Sequence, residues 1–162
     1  MKRAKRQVEG KVCYARLCER PSMLPRAAMP ARGVKAVGLR FERSVGKAIT
    51  SLLSNVHLGQ WIEWRDDSGV RYCQPDVYHV ASDRVVVFEC KLTEVEEARG
   101  QLLGLYLPLL RIVYSRATLG IVVARHLSKE SDTSRVCDSL EGALLRARVG
   151  IPTLHWLGKG HL

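Results

Sequence analysis

The sequence predicts an α/β domain in which a central mixed β-sheet is flanked by helices. Three observations point there. Apolar residues recur at helical spacing between Phe41 and Val56; Val85, Val86, Val87 and Phe88 form a run apolar on both faces, as a central strand requires; and helical and strand patterns alternate from there to the C-terminus. With 162 residues, the chain is long enough for one domain with a real core and too short for two. The expected order is αβββαβαβ over residues 38–162, preceded by a basic arm over residues 1–37.

Residues 1–37 mix basic side chains with Pro21, Pro25, Pro30 and Gly33 and show no sustained period, which reads as an arm or loosely packed extension. From Gly38, the residues Phe41, Val45, Ala48, Ile49, Leu52, Leu53 and Val56 make an amphipathic helix despite Gly46, with Glu42 at the border of its buried stripe. Residues 60–65 read as a strand carrying Trp61 and Trp64. Asp66, Asp67, Ser68 and Gly69 signal a turn, and a second strand runs from Val70 to about Val80. A turn over 81–84 leads into the apolar strand that ends on Glu89. Residue 94 to about 115 is helical, with Ala98, Leu102, Leu105, Tyr106 and Leu109 on its apolar face, and Pro108 is expected to kink or divide it. Residues 118–124 read as a buried strand, 131–149 as a helix bearing Val136, Leu140, Leu144 and Leu145, and 153–157 as a last strand.

Hydrophobic residues make up 46% of the chain and charged residues 26%, near the globular average, so disorder throughout is not expected. The charge is uneven. Residues 1–40 hold 11 lysines and arginines against Glu9 and Glu19, so +9 of the net +10 lies there. A cluster such as Lys2, Arg3, Lys5, Arg6, Lys11 and Arg16 suits a polyanion, with nucleic acid the commonest; a solvated tail that aids solubility is the competing reading. Cys13, Cys18, Cys73, Cys90 and Cys137 contain no CxxC pair, and their odd number argues against a secreted disulfide scaffold, so reduced thiols in a cytoplasmic compartment are expected. No apolar h-region follows the charged N-terminus and no stretch approaches eighteen uninterrupted apolar residues, so neither a signal peptide nor a membrane span is expected. The five histidines are scattered, which argues against zinc. No Gly-rich phosphate loop occurs, which leaves a nucleotide cofactor without support. Core packing accounts for Trp61 and Trp64 better than base stacking does.

The chemistry concentrates between Pro75 and Lys91. Residues i and i+2 of a strand share a face, so Glu89 and Lys91 project together while Cys90 faces the other way. A hairpin turning near residue 82 or 83 pairs residues whose numbers sum to about 165, and Asp76 with Glu89 is such a pair. Two facing carboxylates repel unless a cation or a proton intervenes. Mg²⁺ prefers oxygen ligands and keeps several waters, so Asp76, Glu89 and the backbone carbonyl of Cys90 make a reasonable donor set. Lys91 is then placed to position or help deprotonate an attacking water, or to offset charge developing at phosphorus. The plainer alternative is a surface acid at Asp76 and an ordinary strand-end ion pair between Glu89 and Lys91.

Pro75, Asp76, Glu89 and Lys91 as they stand here resemble the motif of the PD-(D/E)XK nuclease superfamily, over roughly residues 38–124. The resemblance implies a restriction-endonuclease-like core and a Mg²⁺-dependent phosphodiester hydrolase, with Mn²⁺ able to substitute, in which Asp76 and Glu89 bind the metal and Lys91 assists the nucleophile. Gly38, Leu39, Arg40, Phe41, Glu42 and Arg43 are similar to the start of Holliday-junction resolvases of that superfamily, which implies a catalytic role for Glu42. Gln101 and Tyr106 are similar to a Gln-xxx-Tyr motif of recombination exonucleases, with four intervening residues instead of three; Gln101 stands as an accessory candidate and Tyr106 as a core residue.

The leading expectation is therefore a metal-dependent DNA endonuclease, in its structure-selective form resolvase-like, with the arm gripping phosphates. An exonuclease or nickase of recombination or defence is an alternative within the same chemistry, and a non-catalytic nucleic-acid-binding protein is one outside it. Symmetric cleavage of two strands wants two sites, so a homodimer is expected.

Overall fold

The computed structural model describes residues 8, 10–24, 31–93, 96–129 and 131–158. Along the chain it forms β1 (Tyr14–Cys18), α1 (Gly33–Leu52), β2 (Val56–Leu58), β3 (Trp61–Asp66), β4 (Gly69–Cys73), β5 (Val77–Val80) and β6 (Arg84–Thr93). There follow α2 (Glu96–Gln101), a π-helical turn (Leu102–Tyr106), α3 (Leu107–Tyr114), β7 (Ala117–His126), a 3-10 turn (Thr133–Arg135), β8 (Val136–Cys137), α4 (Leu140–Arg146) and β9 (Thr153–His155). The result is an α/β fold with a mixed central sheet between helices.

The doubly apolar run lies at the centre of that sheet. Its six strands are ordered β2-β5-β6-β7-β9-β8, and β6 pairs antiparallel with β5 and parallel with β7. Val86, Phe88 and Cys90 share one core with Phe41, Val45 and Ile49 of α1 and with Leu140 and Ala143 of α4. Val85 and Val87 point the other way, into a second core with Ala98, Leu102, Leu105, Tyr106, Leu109 and Leu110. Each side of β6 thus has its own helical layer, which is why the strand lacks polar alternation until Glu89.

The β5–β6 hairpin has the register its turn implies: Val77 opposes Phe88, Tyr78 opposes Val87, His79 opposes Val86 and Val80 opposes Val85. Elsewhere the structure departs from expectation in ways that have local causes. The strand expected over 70–80 is two strands, because Pro75 carries no N–H for a ladder. Before the break, β4 joins β1 and β3 in a separate three-stranded antiparallel sheet; after it, β5 joins the central one. α1 starts at Gly33 rather than Gly38, and Val56 belongs to β2, since the chain leaves the helical path at Leu53, whose φ of −120° and ψ of 139° are extended.

Two further corrections concern the helices. The segment 131–149 is not one helix: Asp132 caps the 3-10 turn by accepting the Ser134 N–H, and Ser139 starts α4 by accepting the Gly142 N–H, so Val136 lies on β8 between them. Pro108 does not divide the long helix, which runs through the π turn immediately upstream of it. Pro108 cannot donate to the Gly104 carbonyl, and the Val8 N–H takes that place at 2.9 Å. The segment expected as an arm is therefore partly built into the fold, through Val8 and through β1, which pairs with β3 from Tyr14 opposite Arg65 to Cys18 opposite Trp61. With β2 and β8, β1 is one of three short strands outside the expected order.

Candidate active site

The break at Pro75 and the end of β5 set the first acid. Asp76 immediately precedes Val77, and its Oδ2 accepts the backbone N–H of Cys90 at 2.8 Å. N–H and C=O of one strand residue leave on the same side, so the Cys90 carbonyl also faces the Asp76 side. Glu89 is fully buried, and its Oε1 accepts Lys91 Nζ at 2.7 Å. Lys91 is itself 25% exposed and reaches Gln101 Oε1 at 3.4 Å, while Gln101 Nε2 donates to Glu97 at 3.0 Å. Asp76, Glu89, Cys90, Lys91 and Gln101 are thus brought together, as the strand alternation and hairpin register imply.

Charge ties Glu42 to the same place. Burial pushes the Cys90 thiol well above its ordinary range, and Asp76, Glu89 and Glu42 push it the same way against Lys91. The shift favours the protonated thiol over the thiolate. Burial likewise raises the Tyr106 hydroxyl, with Glu89, Asp76, Cys73 and Glu42 adding to it. Burial alone would lower Lys91, but the charge and hydrogen bond of Glu89 outweigh it, Asp76 and Glu97 add to them, and the ammonium is raised. Glu42 and Asp76 line one cleft of about 250 Å³ with Gly46, Leu58, Gly59 and Gln74. Gly46, the apparent weakness of α1, lets the helix come close here: a Cβ on it would meet Leu58 Cδ2 at 2.9 Å.

Gly59 holds the cleft's other wall at φ +58°. Its N–H donates to the Asp76 carbonyl at 3.1 Å, and its own carbonyl accepts the Gln74 side chain. No protein-family model matches the chain, and comparison with curated proteins finds no relative. Two carboxylates and a carbonyl form an all-oxygen donor set that fits Mg²⁺, which completes its shell with water. Among the described residues there is no group of three or more His, Cys, Asp or Glu side chains that could hold a metal ion by themselves. A cation here would rest on those two acids, the Cys90 carbonyl and water.

Tyr106 is the core residue its place on the apolar face implies, and its hydroxyl reaches toward the site. Five positions apart on an α-helix, Gln101 and Tyr106 would lie on different faces. The turn between them is π-helical, with i to i+5 bonding, so the additional residue is absorbed and both side chains meet the site. Gln101 contacts Lys91, and the buried Tyr106 donates its hydroxyl to the Gln74 carbonyl at 3.3 Å, two residues before Asp76.

The expected phosphate contacts divide. Lys2, Arg3, Lys5 and Arg6 lie outside the described residues, and Lys11 is exposed. Arg16 on β1 is committed elsewhere: its guanidinium pairs with Glu63 at 2.6 Å, and Glu63 also accepts from Tyr14 and Tyr72. The structure shows instead a basic stripe on α1, where Arg40, Arg43 and Lys47 are exposed opposite the buried Phe41, Val45 and Ala48. Their spacing of three and four in the sequence is the signal for it. None of the described helices is long and apolar enough to cross a membrane.

Proposed function

We propose that the protein is a metal-dependent phosphodiester hydrolase acting on DNA, of the PD-(D/E)XK kind, and an endonuclease. The observation that carries this reading is the meeting of Asp76 and Glu89 around the Cys90 backbone, with Lys91 Nζ 2.7 Å from Glu89. Asp76, Glu89 and the Cys90 carbonyl would hold the cation. A bound Mg²⁺ or Mn²⁺ supplies Lewis-acid stabilisation of charge on the phosphoryl oxygens. The Lys91 ammonium positions an attacking water and offsets developing charge, and Gln101 orients that ammonium. Glu42 faces the other side of the cleft and adds an acid that orders water. The basic stripe on α1 leads phosphates toward it.

Resolution of a four-way junction is the structure-selective version, and it requires two such sites and hence a homodimer, which light scattering of the pure protein would read. Incubation with labelled single-stranded, linear duplex, nicked and four-way DNA in Mg²⁺ tests reaction and substrate together. Nicked or end-shortened products would favour the nickase or exonuclease form over the endonuclease. Binding of nucleic acid without cleavage is the second reading, and the direct Lys91–Glu89 ion pair favours it, since an amine already balances one of the two acids.

A further inference from the structure

A second cleft, separate from the one that Asp76 lines, lies between α1 and the C-terminal ends of β7 and β9. It encloses about 350 Å³ and is lined by Arg40, Phe41, Ser44, Arg125 and Trp156 among others. Phe41 and Trp156 are buried and meet edge to face at 6.4 Å, which makes an apolar floor. Arg40 and Arg125 are exposed, and neither forms an ion pair or hydrogen bond with the described residues. Among the described residues no carboxylate lines this cleft, in contrast to the one that holds Glu42 and Asp76.

Two guanidiniums that share a cleft repel each other, and an apolar floor screens them poorly, so an anion is the natural third party. The planar fork of arginine matches phosphate oxygens, and the Ser44 hydroxyl adds a neutral donor. The location is also apt, because the open carboxyl ends of parallel strands are where α/β sheets bind ligands. Arg125 directly follows Ala124, the residue paired with Lys91, so the cleft opens along the same edge of the sheet as the candidate active site, on the α1 side.

We propose that this cleft is a phosphate subsite, in which Arg40, Arg125 and Ser44 hold a backbone phosphate of the bound nucleic-acid strand other than the one at the carboxylates. The preference for phosphate comes from the cleft alone; its assignment to a strand rests on the reading of the protein as a nucleic-acid hydrolase.

The test uses full-length Asp76→Asn protein, alone and with Arg40→Gln, Arg125→Gln or both, titrated with fluorescently labelled single-stranded and four-way DNA over a NaCl series. The slope of log Kd against log salt should fall by about one for each arginine removed, with affinity several-fold weaker at low salt. Arg148→Gln serves as the control, since Arg148 acts on Asp83, ahead of β6 at the opposite end of the sheet. It should leave the slope close to that of the parent. A double variant with the parental slope and affinity overturns the subsite, and so does a parent that binds no DNA. A parent whose slope is lost in the double variant, beside a wild type that never cuts in Mg²⁺ or Mn²⁺, upholds the subsite and removes the hydrolase reading.

Discussion

Asp76 and Cys90 are joined by a 2.8 Å hydrogen bond from the Cys90 N–H to the Asp76 carboxylate, made where the pairing of β5 with β6 has just ended. Val77 opposite Phe88 is the last rung of the hairpin, and Asp76 continues the ladder with its side chain instead of its backbone. This holds one acid beside the fully buried Glu89, which Lys91 balances at 2.7 Å. Lys91 and a cation would therefore serve overlapping electrostatic roles.

Lys91→Met tests that overlap. It removes the charge facing buried Glu89 and should destabilise the protein by about 1–3 kcal/mol, less than the cost of breaking a fully buried pair because the Lys91 side chain is 25% exposed. Thermal melts in Mg²⁺ should show the variant gaining more stability from the cation than the wild type does. An equal gain in both proteins would dissociate the lysine from the metal site.

The three-stranded sheet predicts an acid-sensitive step. Burial alone would raise Glu63, but hydrogen bonds from Tyr72, Arg16 and Tyr14 outweigh it and hold its carboxyl below the usual range. A carboxyl depressed by folding contributes stability that is present above its unfolded value and is lost as pH falls through its folded one. Urea titrations should thus show stability declining as pH falls below about 4, the region of an unperturbed glutamate, and Glu63→Gln should flatten that decline. An unchanged pH profile in the variant would show that the cluster contributes nothing to folding.

Gly59→Ala should disturb the site without touching an acid. Its left-handed backbone at φ +58° disfavours any Cβ, at a cost of about 1–2 kcal/mol, and the new methyl would press on Gln74 Nε2 at 3.2 Å. Because the Gly59 N–H donates to the Asp76 carbonyl, cleavage should fall more than stability explains. Rates measured well below the melting temperature separate the two effects, and a fully active variant would mean that this loop does not position Asp76.

Truncation distinguishes the basic N-terminus from the fold it leads into. Removing residues 1–7 takes away Lys2, Arg3, Lys5 and Arg6 and should lower the salt dependence of DNA binding. Removing residues 1–18 also takes β1 and the Val8 bond to Gly104, and should destabilise the whole domain. Equal stability of the two truncations, read by urea unfolding, would show β1 to be dispensable.

How much of this is legible in the sequence depends on the range of the forces involved. The register that sets Asp76 near Glu89 is local, fixed by the turn over 81–84, and the alternation that puts Lys91 with Glu89 is a property of any strand. The apolar stripe of α1 and the two-faced run of β6 are legible for the same reason. β1 is not, because Tyr14 finds its partner Arg65 far along the chain and carries no periodic signal of its own. Tyr106 is legible as a core residue, but the bond of its hydroxyl to the Gln74 carbonyl is not, since no 3.6-residue period announces the π turn that ends on it. The basic stripe is hidden when charge is counted by segment; it emerges when Arg40, Arg43 and Lys47 are placed opposite Phe41 and Val45. Periodicity makes Glu42 legible as a border residue and the resemblance of residues 38–43 adds a catalytic role, but the cleft it shares with Asp76 depends on the close approach that Gly46 permits.

The most direct test of the central claim is cleavage by the wild type and by Asp76→Asn, side by side, on labelled single-stranded, duplex, nicked and four-way DNA in Mg²⁺. Asparagine keeps an oxygen for the Cys90 N–H, so the fold and DNA binding should persist while cleavage falls by roughly a hundred- to a thousandfold, the scale on which a charge-stabilising group at a reacting centre is lost. A wild type that binds DNA and never cuts it in Mg²⁺ or Mn²⁺, or an Asp76→Asn variant that cuts at the wild-type rate, would contradict the account.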